Sequence, residues 1–187
     1  ILRDQNGQIG GDKINFKFSE AKYPIIYKDR ASAILENPNA LDRVYFAKEF
    51  QIASEEETKK LIDKGINPSE TAILTKNLGI TNTTGNGIAK ILDYRPNSVT
   101  IQTTTSQDEI LILADQYEEG WHAKIDGQQT LISPANLIFR AVKIPAGDHQ
   151  VTFYYWPKSF ELGLKVAAAS LLLLSTFLLV SLKKKVF

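Results

Sequence analysis

The residues that could do chemistry are gathered in one stretch, Asp115-Gln116-Tyr117-Glu118-Glu119-Gly120-Trp121. Carboxylates beside aromatic rings are what glycoside hydrolysis needs, one acid to protonate the leaving oxygen and another as base or nucleophile. The same pattern also describes a solvated turn between strands with an aromatic anchor in the core. The stretch is read that way, and no residue is assigned a catalytic role. Tyr117 and Trp121 are kept as ligand-binding candidates, because aromatic faces stack well against the C–H groups of a sugar. His122 and His149 lack helical or paired spacing to a third ligand, so only the fold could join them with Asp126 into a metal site, and none is assigned. No glycine-rich phosphate loop and no Gly-x-Ser-x-Gly elbow occurs. No cofactor is called for.

The elements that must position these side chains are mostly strands. From Ile88 onward, apolar and β-branched runs alternate with turn signals at short spacing, which is the pattern of a sandwich or barrel. Ile88–Tyr94 is the first run. Val99, Ile101, Thr103 and Thr105 share one face of the next. Ile110–Ala114 is apolar throughout and should be central. Trp121–Ile125 and Gln129–Ile132 flank Asp126-Gly127, a strong hairpin signal. Phe139–Ile144 and Gln150–Tyr155 form a last pair around Pro145-Ala146-Gly147. Upstream, Ile14–Phe18, Tyr23–Tyr27 and Val44–Phe50 read as further strands, with turns at residues 5–8, 10–12 and 36–39. One soluble helix is signalled by Ser54 with Glu57 three residues on, a capping box, and by Gly65 at its end. Asn82–Gly87 reads as a flexible loop. The expectation is a mainly β domain, an antiparallel and jelly-roll-like sandwich of about seven strands with one short helix.

The chain closes on a different kind of segment. Val166–Leu182 contains no charge, proline or glycine, and it is followed by Lys183, Lys184 and Lys185. Counted from Leu162, it rises about 31 Å as a helix, enough to cross a hydrocarbon core. Trp156 and Phe160 precede it where an interfacial aromatic belt belongs, and Lys165 can send its ammonium to the headgroups along its aliphatic stem. The lysines after the span favour a cytoplasmic C-terminus and an outward-facing polar domain. The domains expected are a linker with partial strands over 1–40, an extracytoplasmic β-domain over 41–160, a span over 161–182 and a tail over 183–187. Formal net charge is +1, which gives no electrostatic case for nucleic acid. The sequence has no cysteine, which excludes disulfides and thiolate chemistry. An outward domain without a signal peptide implies an upstream membrane part, so this sequence is expected to be a C-terminal portion.

Several short motifs carry a resemblance. They are Asn39-Ala40-Leu41-Asp42-Arg43-Val44-Tyr45-Phe46, Tyr94-Arg95-Pro96-Asn97-Ser98-Val99, Asp115-Gln116-Tyr117 with Gly120-Trp121, and Asp126-Gly127. Phe139-Arg140-Ala141-Val142, Pro145-Ala146-Gly147 and Tyr155-Trp156-Pro157-Lys158-Ser159-Phe160 complete the ordered set. The set, ending in one span, resembles the C-terminal region of bacterial YfhO-type membrane proteins over residues 39–182. Asp42 stands where that family often has proline, and His122 replaces a common lysine. The resemblance implies a polytopic protein similar to glycosyltransferases that use a polyprenyl-phosphate-linked sugar to modify cell-envelope polymers. Its catalytic acid would lie in the absent membrane half, so this part would be accessory. The implied partners are the lipid bilayer, the upstream transmembrane helices and an envelope glycan or the lipid-linked sugar. A membrane-anchored envelope binding module without enzymatic activity is the alternative.

Overall fold

The computed structural model describes residues 23–29 and 32–184. The expected strand Ile14–Phe18, the turns at 5–8 and 10–12, and Lys185 lie outside them. The chain divides into two compact units, Ile1–Leu41 and Asp42–Phe187. In the first, β1 (Ile25–Lys28) and β2 (Ala33–Leu35) form an antiparallel hairpin. Asp29 accepts from the Ser32 amide at 2.7 Å beside its tip.

The second unit begins with β3 (Val44–Phe46) and β4 (Glu49–Ile52), where the sequence suggested one strand. After α1 (Glu55–Asp63) come β5 (Thr71–Leu74), β6 (Ile88–Arg95), β7 (Ser98–Thr105), β8 (Glu109–Leu113), β9 (Trp121–Ile125) and β10 (Gln128–Thr130). Then follow β11 (Ser133–Ala135), β12 (Phe139–Ile144), β13 (Gly147–Tyr155) and α2 (Lys158–Lys184). One sheet runs β10-β9-β13-β7-β6 and the other β3-β8-β12-β11-β5-β4. The domain is therefore mainly β and almost wholly antiparallel, as expected, with more strands than the sequence suggested. The exception is β4 with β5, a parallel pair made possible because α1 carries the chain back between them. β11 was hidden in the sequence by its shortness and by Pro134.

The break between β3 and β4 shapes the six-stranded sheet. These strands are its two edges, yet only Ala47 and Lys48 separate them. Three Cα steps reach at most about 11 Å, whereas the edges of a flat six-stranded sheet lie about 24 Å apart. The sheet must roll until its edges meet. Its inner face encloses Leu74, Ile80, Ile110, Ile112 and four alanines, Ala47, Ala72, Ala135 and Ala141, small enough for a narrow roll. Leu111, Leu113, Val142 and Ile144 point the other way, onto Val99, Ile101, Ala123, Val151 and Phe153 of the five-stranded sheet. Residues 110–113 are all buried because β8 has apolar packing on both faces.

The local signals explain the connections. Ser54 and Glu57 make both arms of the capping box. At the other end, Gly65 N–H donates to Ile62 O and Ile66 N–H to Leu61 O, a full Schellman closure. Asp126 and Gly127 both have positive φ, 49° and 82°, the signature of a type I′ hairpin. Asp126 also accepts from the Gln150 amide at 2.9 Å, fixing the turn to β13.

Asn82–Gly87, expected to be flexible, is instead tied down by a buried anion. Glu109 is 1% exposed. One of its oxygens accepts from Thr83 Oγ1 at 2.5 Å, Thr84 N at 2.8 Å and Gly85 N at 3.1 Å. The other accepts from Thr84 Oγ1 at 2.5 Å. Burial is the largest influence on this carboxyl and raises it, but the hydroxyl and amide donors together outweigh burial and hold it below its ordinary value.

Two substitutions test this description. Gly127→Val should lower stability by about 1–3 kcal/mol, because β-branching is strained at positive φ. Open space lies around its Cβ position, so an unchanged melting temperature would mean that the turn is not type I′. Glu109→Gln sets an amide NH₂ against donors and should cost about 1–3 kcal/mol at neutral pH. Since the folded carboxyl is depressed, its contribution is present above the ordinary carboxylate value and is lost as pH falls through the folded one. Denaturant titrations should therefore show the gap between the two proteins closing in acid, and a gap independent of pH would contradict an ionised Glu109.

Candidate functional site

The stretch from Asp115 to Trp121 links β8 to β9 across the open end of the sandwich. Asp115 accepts from Arg43 Nη1 at 2.7 Å and from the Tyr94 hydroxyl at 3.1 Å. Arg140 Nη2 lies 3.6 Å from its other side, an ion-pair distance beyond hydrogen-bond reach. Arg43, Tyr94, Asp115 and Arg140 come from four separate motifs, and the fold brings them to one point. Asp115 holds the Arg43 guanidinium above its ordinary value through their hydrogen bond.

Arg140 is the unusual member. It stands on β12, is 3% exposed, and points between the sheets because its neighbours in the alternation are Val142 and Ile144. Its guanidinium carbon lies 3.6 Å from the centroid of the Trp121 ring and 5.8 Å from that of Phe153. Both rings present a face or edge of the five-stranded sheet to a cation of the other sheet. Nε donates to Gln116 O at 3.2 Å, while buried Nη1 has no partner. Burial pulls this guanidinium down from its ordinary value, opposed by the charge of Asp115 and by Tyr94. Arginine stays protonated regardless.

A cleft of about 480 Å³ opens over this cluster, with Tyr94, Arg95, Pro96, Asn97, Trp121 and Tyr155 among its walls. Trp121 packs on the core and on Tyr155, with ring centroids 5.4 Å apart. Tyr117 lines a neighbouring cleft of about 740 Å³ with Lys76, Glu119, His122, Pro157 and Lys158. Tyr117 and Trp121 therefore line different clefts and do not build a shared platform. Glu118 lines both clefts and accepts from the Tyr155 hydroxyl at 3.3 Å. Asp115 is bound by its cationic and phenolic partners, which leaves Glu118 and Glu119 as the acids of the stretch facing the larger cleft.

The histidines are also apart. His149 Nδ1 pairs with Asp126 at 2.6 Å, and that hydrogen bond holds the imidazole above its ordinary value. His122 stacks on Tyr154 and contacts Trp156 O at 3.2 Å. It sits opposite Tyr154, whereas Asp126 meets Gln150, four residues or about 13 Å along the same strand. Among the described residues no group of three His, Asp or Glu side chains could hold a metal.

The joint to the membrane helix is direct. Trp156 N–H donates to Gly120 O at 2.7 Å and Tyr155 N–H to Asn97 O at 2.9 Å. A Cβ on Gly120 would lie 2.5 Å from the Tyr155 ring, so glycine is what lets the end of β13 close against this turn. Trp156 and Phe160 meet edge to face at 4.9 Å, each about half exposed. Within α2, Lys158–Phe177 is long and apolar enough to cross a membrane, with none of that window buried. Lys165 reaches back one turn to Glu161 at 2.6 Å, the direction in which a snorkelling side chain would lie. Ser170, Ser175 and Thr176 donate to backbone carbonyls of the preceding turn, which satisfies them inside lipid. Lys183 and Lys184 end the helix.

Sequence reasoning singled out Asp115 and Trp121 but missed Arg43, Tyr94 and Arg140 as a cluster. The one available signal was Arg140 within the apolar run Phe139–Ile144, where a solvent-facing strand position would have been assumed.

Comparison with known proteins agrees with the motifs. Residues 80–167 match the family described as the bacterial membrane protein YfhO. The protein YfhO of Bacillus subtilis (strain 168) is 32% identical over 82 residues, covering 44% of this chain and 10% of that protein. No solved structure matches. The matched region contains Tyr94, Asp115, Trp121, Arg140 and the start of the membrane helix, and over that region this chain is similar to the YfhO family of bacterial membrane proteins.

Proposed function

We propose that residues 42–184 are the outward-facing β-domain and last membrane span of a longer, polytopic YfhO-type protein. That protein is a glycosyltransferase that uses a polyprenyl-phosphate-linked sugar to modify cell-envelope polymers. This portion is accessory: it holds glycan near the membrane surface and leaves the transfer step to upstream membrane helices, its partners in the bilayer.

The observation that carries this reading is the direct joint between cleft and span. Tyr155 closes β13 and α2 begins at Lys158, with only Trp156 and Pro157 between. Tyr155 and Trp156 donate their amides to Asn97 and Gly120, in turns that wall the clefts. The clefts are thereby held close to the headgroup layer, where the reactive carbon of a lipid-linked sugar lies. The accessory role is favoured by Asp115, whose lone pairs are engaged by Arg43 and Tyr94 rather than free for proton transfer. The matched relative is much longer than the aligned segment, as a multi-helix parent requires. The binding-module alternative draws on the clefts themselves. An upstream gene segment encoding only a signal peptide would favour it over the transferase.

Orientation is tested by labelling. The chain has no cysteine, so single cysteines at Asp63 and Lys184 report separately to an impermeant thiol reagent on whole cells. Label is expected at position 63 and not at 184, and the reverse would place the β-domain in the cytoplasm. Catalysis is tested by sugar incorporation into envelope polymer. Membranes with the full-length parent should transfer sugar and membranes with residues 1–187 alone should not. Transfer by the shorter chain would overturn the accessory role and put Glu118 and Glu119 first for mutation.

A further inference from the structure

Arg140 is short of acceptors. A guanidinium carries five N–H donors, and here one is met, by Gln116 O at 3.2 Å. Nη1 is buried without a partner, and Nη2 stands 3.6 Å from Asp115. The Asp115 carboxylate is drawn instead to Arg43 and Tyr94. Two guanidiniums thus meet one carboxylate, and the terminal nitrogens of the buried one lack an oxygen within hydrogen-bond distance. The Trp121 ring lies 3.6 Å from its guanidinium carbon and holds it in place, and its fork of donors suits a planar or tetrahedral oxyanion. The other charged groups along the cleft have partners of their own: Arg95 is paired with Asp93 at 2.8 Å, and Glu118 accepts from Tyr155.

We infer that the cleft of about 480 Å³ over Arg140 binds an acidic sugar unit, whose carboxylate or phosphate pairs with the guanidinium of Arg140. The volume suits a small ligand. Tyr94, Pro96 and Tyr155 offer ring surface to the sugar's C–H face, while Asn97 and Glu118 offer hydrogen-bonding groups to its hydroxyls. The inference deepens the glycan-holding role proposed above, and rests on it only for the sugar as carrier of the acid group. Asp115, 3.6 Å from Arg140 Nη2, competes with the ligand for that cation.

The competition gives the decisive variant. Binding is measured by calorimetry on the whole chain in phosphatidylcholine nanodiscs, with glucuronate, glucose 6-phosphate and glucose as probes. At least one acidic sugar should bind about tenfold or more tightly than glucose, and Arg140→Gln should remove that difference. Asp115→Asn keeps the side-chain shape, removes the competing charge and should tighten acidic-sugar binding roughly threefold. A gain of binding cannot come from misfolding, which a loss in the Arg140 variant could. Preference for glucuronate assigns a carboxylate, preference for glucose 6-phosphate a phosphate, and equal binding of both a general oxyanion site. Equal binding of glucose, no binding of any probe, or no tightening in Asp115→Asn overturns the inference. Acidic-sugar binding with no sugar transfer by the full-length parent would sink the transferase reading alone, and transfer without acidic-sugar binding would sink this one alone.

Discussion

A buried positive charge between the two sheets governs this end of the domain. Arg140 belongs to the six-stranded sheet, while Trp121 and Phe153, whose rings it approaches, belong to the five-stranded one. A guanidinium taken out of water needs opposite charge or aromatic faces near it, and the fold provides both. Asp115 must therefore sit where β8 ends. Arg43, just before β3, and Tyr94, on β6, converge on that carboxylate. The turn from Asp115 to Trp121 is thus held by charge at one end and by ring packing at the other. The cleft above it follows from that arrangement, because the side chains that would fill it are engaged in the cluster below.

The same chain handles a second buried charge differently. Glu109, at the opposite end of β8, is surrounded by hydroxyl and amide donors from a glycine-containing loop. Its neutralisation is dipolar, and its consequence is structural, since it draws Thr83–Gly85 against the sheet. The Asp115–Arg140 end uses full charges and leaves donors unmet. Donors that are fully satisfied hold a loop in place, whereas unmet donors beside open space are suited to a ligand.

Coupling to the membrane depends on a short, pinned link. A flexible linker would let the β-domain wander from the bilayer by tens of ångströms. Here the last strand passes into the membrane helix through Trp156 and Pro157, with Gly120 allowing close contact with Tyr155. The β-domain is thereby held close to the start of the candidate membrane span.

Local physics made much of this legible in the sequence. The apolar run after Val166 reads as a helix able to sit in lipid, because its polar groups are few and each hydroxyl can bond back along the helix. Asp126-Gly127 forced its hairpin, Ser54 and Glu57 began their helix, and the alternation at Val99–Thr105 named the buried face. These are signals in which neighbours along the chain decide the outcome. The rolling of the six-stranded sheet was not legible, since it depends on which strands become its edges, and the two-residue link at Ala47-Lys48 looks like the middle of one strand. The charge cluster was hidden for a related reason. Arg43, Tyr94, Asp115 and Arg140 are separated by up to 97 positions in sequence, and each looks like an ordinary exposed polar residue. Only the meeting of the two sheets put Arg140 inside and left Tyr117 and Trp121 in separate clefts, because burial and charge pairing are properties of the packed layers and not of any one strand.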